Sequence, residues 1–415
     1  MTHMTHKTHK TLETRQRGWS ACQYLHPGHL ELIGGRGEWV WTADGRTFLD
    51  GVNNVTHIGH SHPRLAQVVA NQMLQINTNS RYLHEASNDL VNQLLATFPE
   101  SLRKCILVCS GSEANDLALR IAQLVTGSRH LICLDQAYHG NTTECQRVSP
   151  YGKYRMHVQI SDPETTVLSL DDNFGALEDL PRVGAWISET ILGCGGHIEL
   201  PPGYLKKVYQ IVRQKGGVCI ADEIQTGFGR TGSHFWAFEA HQVIPDLVTV
   251  GKSMGNGFPI SAVILSQKIE ERLIELGFRY FNSFGGSTLG CVVGLEVLRI
   301  IRDEHLVHRA EILGRWLFHR LEKMRKDLQR VGIEIKVRGR GLFWGVDFGI
   351  RPESVGLADA VCQRCLDQGV MLATDGSQHQ VIKIKPPMCI TQDSLEFLVN
   401  TLHRAITGRE ERARL

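Results

Sequence analysis

Apolar residues along this chain fall into short runs separated by longer amphipathic stretches. The runs Cys105 to Cys109, His130 to Leu134, Ala185 to Ser188, Val218 to Ala221, Leu247 to Val250 and Ser261 to Leu265 have the length and composition of buried strands. Between them apolar positions recur at helical spacing, as in Glu113 to Leu124 and Tyr204 to Lys215, the first preceded by the capping candidates Ser110 and Ser112. This alternation persists for about 200 residues after Pro63 and predicts a parallel sheet covered by helices. From Glu38 onward, WVWTADGRTFLDG predicts two strands joined at an Asp44-Gly45 turn.

Beyond the last run, Leu289 to Arg302 and Val307 to Leu328 predict long helices leading into a second unit. There EIKVRGRGLFWGVDF and QVIKIKPPMCI predict strands separated by a helix, a smaller α/β domain packed with the N-terminal hairpin. The chain thus divides into a disordered arm over 1–14, an N-terminal part of a small domain over 15–64, a large domain over 65–305 and the C-terminal part of the small domain over 306–415. The arm rests on the polar, repetitive start MTHMTHKTHKT, which offers little apolar surface to bury.

At 415 residues, 42% hydrophobic and 21% charged, the chain can bury an extensive core. A net charge of +2 with evenly mixed signs leaves no basic stripe for nucleic acid. No apolar run reaches the roughly 20 residues that a membrane helix needs. The eleven cysteines are scattered, several within apolar runs, which suits a reducing compartment and a cytoplasmic protein. Cys362 and Cys365 form a CxxC inside a helical stretch with no second pair to complete a zinc site. His57, His60 and His62 lie in a loop without an adjacent carboxylate, so no metal site is expected.

Three signals fall at the C-terminal ends of predicted strands, where ligands sit in open α/β sheets. Ser110-Gly111-Ser112-Glu113-Ala114-Asn115 is a small-residue turn into a helix, able to cradle a phosphate on free N–H groups, although such turns also use Gly and Ser for steric reasons alone. Ala221-Asp222-Glu223-Ile224-Gln225 places two carboxylates after an apolar strand, and a buried carboxylate needs a partner. For Asp222 that partner is a protonated pyridine nitrogen, with a helix cap or a metal as other roles open to it. Gly251-Lys252-Ser253-Met254-Gly255 puts a lysine at a strand end in a glycine-rich loop. Close packing disfavours a charged amine and frees it for imine formation. The P-loop order is absent, and no dinucleotide GxGxxG follows the first strand.

Taken in order, CSGSEAND, LDQAYHG, ADEIQTGFGRTG and GKSMGNGFPISAV resemble the class III aminotransferases of PLP fold type I, over about Gly35 to Leu402. The resemblance implies an α/β fold with a mainly parallel central sheet, and pyridoxal 5′-phosphate held by Lys252 as a Schiff base. It further implies that Asp222 pairs with the ring nitrogen, Gln225 bonds the ring hydroxyl, and Gly111 and Ser112 hold the phosphate. Tyr138 and Ile224 would cover the two ring faces, and Glu189 would position Gln225 or the hydroxyl. The family shares its sites across a homodimer, and Ser283, in FNSFGGS, stands where the family has a threonine that reaches the neighbour's cofactor phosphate.

Lys383 stands where many class III members have an arginine for a substrate carboxylate, so a point charge replaces a planar fork. The segments NNVTHIGHSHP, NTNSRYLH, YFNSFGG and ATDGSQHQVIKIKPPM are similar to the phospho-lyase subgroup acting on O-phosphoethanolamine and 5-phosphohydroxylysine. That implies a small primary amine, possibly phosphorylated, as substrate, with Lys252 as the base and phosphate as the leaving group. A phosphorylated substrate needs its own cationic pocket, for which Arg81, Lys383 and Lys385 are candidates, with Asn54 and His57 at its mouth. An ω-aminotransferase using pyruvate or 2-oxoglutarate, and an ammonia-lyase acting on an aminophosphonate, are alternative outcomes of the same proton abstraction.

Overall fold

The computed structural model describes residues 6–19, 30–155, 162–171 and 174–408. Strands β1 (Leu32–Arg36), β2 (Trp39–Thr42) and β3 (Thr47–Asp50) form an antiparallel meander near the N-terminus. The predicted hairpin is its second half, turning through Gly45 at φ 87°, a backbone region that favours glycine.

The large domain holds β4 (Leu102–Val108), β5 (Leu131–Leu134), β6 (Thr165–Leu168) and β7 (Ala185–Glu189). A two-residue hairpin of β8 (Ile191–Leu192) and β9 (Ile198–Glu199) follows, then β10 (Val218–Asp222), β11 (Leu247–Val250) and β12 (Ser261–Ser266). Seven of these form one sheet in the order β4-β12-β11-β10-β7-β5-β6. It is mainly parallel, as expected, but β12 runs antiparallel to both neighbours. Every residue of β7 and β10 is buried, as interior parallel strands with both faces covered should be. The edge strand β6 was not predicted; its first three residues are only partly buried or exposed, so no apolar run marks it.

Helix Gly111–Thr126 covers the sheet directly above the first motif. Ser110 caps it, accepting from the Glu113 amide at 3.2 Å, and Gly127 ends it at φ 65°. Helices Thr288–Asp303 and Leu306–Gln329 carry the chain to β13 (Lys336–Arg340), β14 (Phe343–Asp347), β15 (Val370–Met371), β16 (Ala373–Asp375) and β17 (Val381–Ile384). The small domain has two sheets, β13-β14-β17-β16 and β1-β2-β3-β15. In the second, β15 joins β3 in parallel, so the two chain ends share a sheet as the sequence led us to expect.

The N-terminal arm differs from expectation. Residues His6–Gly18 form a helix, whereas residues 1–5 lie outside the described residues. The helix is strongly polar, so the apolar periodicity that reveals other helices is missing from it. Among the described residues no helix is long and apolar enough to cross a membrane.

Candidate active site

Register creates the site. Asp222, the last residue of β10, lies opposite Glu189, the last of β7, and opposite Thr249 of β11. Three polar side chains therefore emerge in a row from three adjacent parallel strands. Helix Gly111–Thr126 adds Asn115, fully buried on a face otherwise made of Ala114, Leu117 and Ala118.

Asn115 binds the row together. Its Nδ2 donates to Asp222 Oδ2 at 2.8 Å and to the His139 carbonyl at 2.7 Å, while its Oδ1 accepts from Thr249 Oγ1 at 2.6 Å. His139 Nδ1 lies 2.7 Å from the same Asp222 oxygen, and Asp222 Oδ1 accepts from the Ile224 amide at 3.1 Å. His139 Nε2 is buried without a hydrogen-bond partner among the described residues.

Glu189 Oε1 accepts from the Gly193 amide at 3.1 Å and from Gln225 Nε2 at 3.4 Å. Burial, reinforced by Asp222, pushes its carboxyl up to about 7. Gln225 Oε1 in turn accepts from Asn54 Nδ2 at 3.1 Å and from Lys385 Nζ at 3.2 Å.

Asn115, His139, Glu189, Asp222 and Gln225 line a cavity of about 140 Å³, whereas Asn54, Lys383 and Lys385 do not line it. Gly111, Ser112 and Gly140 form one end, Tyr138 and Ile224 the walls, Asp222 and Gln225 the far side, and Lys252 enters from the loop after β11. Lys252 has φ 30°, a left-handed conformation that a non-glycine residue adopts only where its surroundings enforce it. Two glycines pack closely here, and Gly140, at φ 130°, is sterically required. A Cβ on Gly111 would come within 2.8 Å of Ile224 Cδ1, and one on Gly140 within 2.6 Å of Ser112 Oγ.

The cavity suits a phosphorylated pyridine aldehyde. The amides of Gly111 and Ser112 open the helix and have no partner among the described residues, so two oriented donors face one end. A buried carboxylate braced by three donors faces the other end, and an amine stands between them.

Residues 26–406 match the aminotransferase class-III family. The chain belongs to the class III aminotransferases. Its cofactor is pyridoxal 5′-phosphate. It is 37% identical to the fruit-fly (Drosophila melanogaster) "alanine--glyoxylate aminotransferase 2-like" protein, over 91% of this chain and 83% of that one. With human mitochondrial alanine–glyoxylate aminotransferase 2 it shares 31% identity, over 94% and 82% of the two chains. Among solved structures, an Arthrobacter phospholyase in complex with phosphoethanolamine superposes with a TM-score of 0.88 at 32% identity, covering 96% of this chain and all of that one.

Not every expected residue gathers at the cavity of this class III chain. His57 is fully buried and does not line it. Arg230 Nη2 lies 3.1 Å from His57 Nδ1 and can only donate, so Nε2 carries the proton to the Phe228 carbonyl at 2.9 Å. Burial, then Arg230, hold this imidazole well below its ordinary pKa, and no donor is left for a substrate. Arg81 is exposed, its guanidinium 3.8 Å from the centroid of the Phe281 ring, and Ser283 is also exposed. His60 pairs with Asp50 and His62 with Glu304, and among the described residues no cluster of ligands could hold a metal.

Lys383 and Lys385 point to one carboxylate. Lys383 Nζ lies 3.1 Å from Asp375 Oδ1 and Lys385 Nζ 3.4 Å from Asp375 Oδ2. Sequence reasoning missed Asn115, Thr249 and Asp375. A signal existed for Asn115, a polar residue on an apolar helix face; Asp375 meets the lysines only through the β16–β17 pairing.

Proposed function

We propose that this enzyme is a phospho-lyase, eliminating phosphate from a small phosphorylated primary amine such as O-phosphoethanolamine. The observation that carries this reading is the pair of lysines sharing Asp375. Two ammonium groups on one carboxylate leave an excess positive charge, and Lys385 is joined to the cofactor cavity through Gln225. Excess buried charge of this kind attracts an anion. A phosphate ester meets that need at a distance from its amine.

In this reading the residues divide the work. Gly111 and Ser112 hold the cofactor phosphate, Asp222 faces the ring nitrogen, Gln225 meets the ring hydroxyl, and Tyr138 and Ile224 confine the ring. Bound pyridoxal phosphate supplies an electron sink for the carbon next to the substrate amine. Lys252 takes the proton from that carbon. The C–O bond to phosphate breaks with its electron pair leaving on phosphate, where Lys385 and Lys383 offset the charge. Water then converts the released enamine to aldehyde and ammonia.

The aminotransferase names of the fly and human relatives favour a second reading, amino transfer to pyruvate or another oxo-acid. One experiment separates them. Holoenzyme is incubated with O-phosphoethanolamine and no oxo-acid, and phosphate and ammonia are measured. Release of both supports elimination; loss of amine only after pyruvate or glyoxylate is added overturns it.

Assembly and location follow the same reading. Leu83, Phe284 and Tyr82 are 98%, 76% and 68% exposed beside Arg81 and Ser283, a face that a second copy would cover. A homodimer on this face brings Ser283 to the partner's cofactor phosphate, and sedimentation of the holoenzyme tests it. Every cysteine among the described residues is a free thiol, consistent with a cytoplasmic enzyme.

A further inference from the structure

Among the described residues, Lys385 is the one buried lysine, 2% exposed. Its Nζ bonds Gln225 Oε1 and Asp375 Oδ2 and lies 5.1 Å from the centroid of the Phe343 ring. Gln225 continues the connection, its Nε2 reaching Glu189 Oε1 and lying 3.7 Å from Cys194 Sγ. A continuous path of hydrogen bonds thus runs from Lys383 through Asp375, Lys385 and Gln225 to Glu189 at the end of β7. The proton abstraction described above does not use it.

The charges that face Lys385 come from several elements. Asp375 on β16 and the Cys194 sulfur after β8 favour its ammonium; Lys383 on β17, the strand that Lys385 follows, and Lys252 oppose it. Burial is the largest influence and lowers its pKa. Lys252 and Lys385 therefore act on one another, and a positive Lys385 disfavours a proton on the nitrogen that Lys252 shares with the cofactor.

We propose that Lys385 is the group through which occupancy of the substrate's anionic end is felt at the cofactor, with Gln225 as the connecting hydrogen bond. The inference rests on the phospho-lyase reading for the nature of the anion. A docked anion offsets the Lys385 charge and competes with Gln225 Oε1 for its protons. The nitrogen shared by Lys252 and the cofactor then keeps its proton to higher pH, and Gln225 is free to turn toward the ring hydroxyl. An amine without an anionic tail fits the cofactor end but leaves this state unformed, so discrimination falls on kcat as well as KM.

The test uses holoenzyme, whose cofactor fills the Gly111–Ser112 cradle, titrated with inorganic phosphate while the visible band of the Lys252-linked cofactor is followed against pH. Phosphate is expected to raise the apparent pKa of that band by about one unit. Lys385→Met should abolish the response and raise the resting value, and Lys385→Arg, which keeps the charge, should restore the response and serves as the folding control. Absence of a shift with both phosphate and succinate, or an undiminished response in Lys385→Met, overturns the proposal. Turnover of O-phosphoethanolamine with no phosphate-induced shift overturns the coupling and leaves the phospho-lyase reading intact. A shift with succinate and none with phosphate supports the coupling and overturns the phosphate assignment.

Discussion

Asp222 and Glu189 stand opposite one another at the ends of adjacent parallel strands, yet their surroundings differ. Asp222 accepts from two side chains and an amide, whereas Glu189 has weaker donors and lies beside the Asp222 charge. One strand register thus yields a well-braced carboxylate side by side with a carboxyl that burial raises to about 7.

That difference predicts a pH-dependent stability. Glu189, and Glu223 behind it, are each raised by burial from an ordinary 4.5 to about 7. The folded state therefore binds more protons than the unfolded state within that interval, and stability falls as pH rises from 4.5 through about 7. Glu189→Gln should flatten this slope in urea unfolding of the cofactor-free protein. An unchanged slope would show that the carboxyl already ionises normally.

Asn115→Ala removes a donor to Asp222 and strands the Thr249 hydroxyl. Loss of a buried partner costs about 1–3 kcal/mol. The variant should also lose cofactor faster on dialysis, followed by absorbance, because Asp222 is no longer fixed. Equal cofactor retention in wild type and variant would remove Asn115 from the site.

Alanine at Gly140 meets Ser112 Oγ at 2.6 Å and a φ of 130° that L residues rarely adopt. Cofactor affinity should drop at least tenfold by equilibrium titration, an effect of about 1.4 kcal/mol. Gly37→Ala is the control: its φ is 59° but no atom lies within 4 Å of the added Cβ. It should cost some stability and leave cofactor affinity alone.

Lys252→Ala should lower turnover by about 10³-fold or more, since the proposed proton-transfer group is gone. Borohydride treatment followed by peptide mapping should tag Lys252 with the cofactor in the wild type. A tag on Lys385 instead would reassign the two amines.

Arg230 is fully buried and ion-paired to no carboxylate among the described residues, donating to the Leu342 and Pro386 carbonyls and to His57, and burial lowers its pKa to about 9. Arg230→Met leaves those acceptors without a donor and should destabilise the fold by about 3 kcal/mol in chemical denaturation. Restoration by His57→Phe in the same chain would show that the imidazole is the group left unpaired.

Elements with buried, strictly apolar runs were legible from sequence, which is why six of the seven central strands and the long helices were found, β4 with its first three residues missed. Strand β6 and the polar helix His6–Gly18 were not, because neither carries an apolar period. Most residues that line the cavity were legible because they sit in short motifs that follow strands. Substrate-side residues were harder. His57 and Arg81 have suitable chemistry, but burial against Arg230 consumes the first, and the second lies on an exposed face against Phe281. Whether a polar side chain is already satisfied depends on partners distant in sequence, as with Lys383, Lys385 and Asp375.

Lys252 leaves the end of a strand in the seven-stranded sheet, whereas Lys385 follows a strand of the four-stranded β13-β14-β17-β16 sheet. The span between the two amines is therefore set by how two separately built layers dock, with Arg230 bonded across the seam to Pro386, the residue after Lys385. On the proposed phospho-lyase reading, that span is a ruler for the reach between a substrate's nitrogen and its far charge. Substitutions along the seam can change which chain length is accepted while leaving both lysines, and everything that holds the cofactor, untouched.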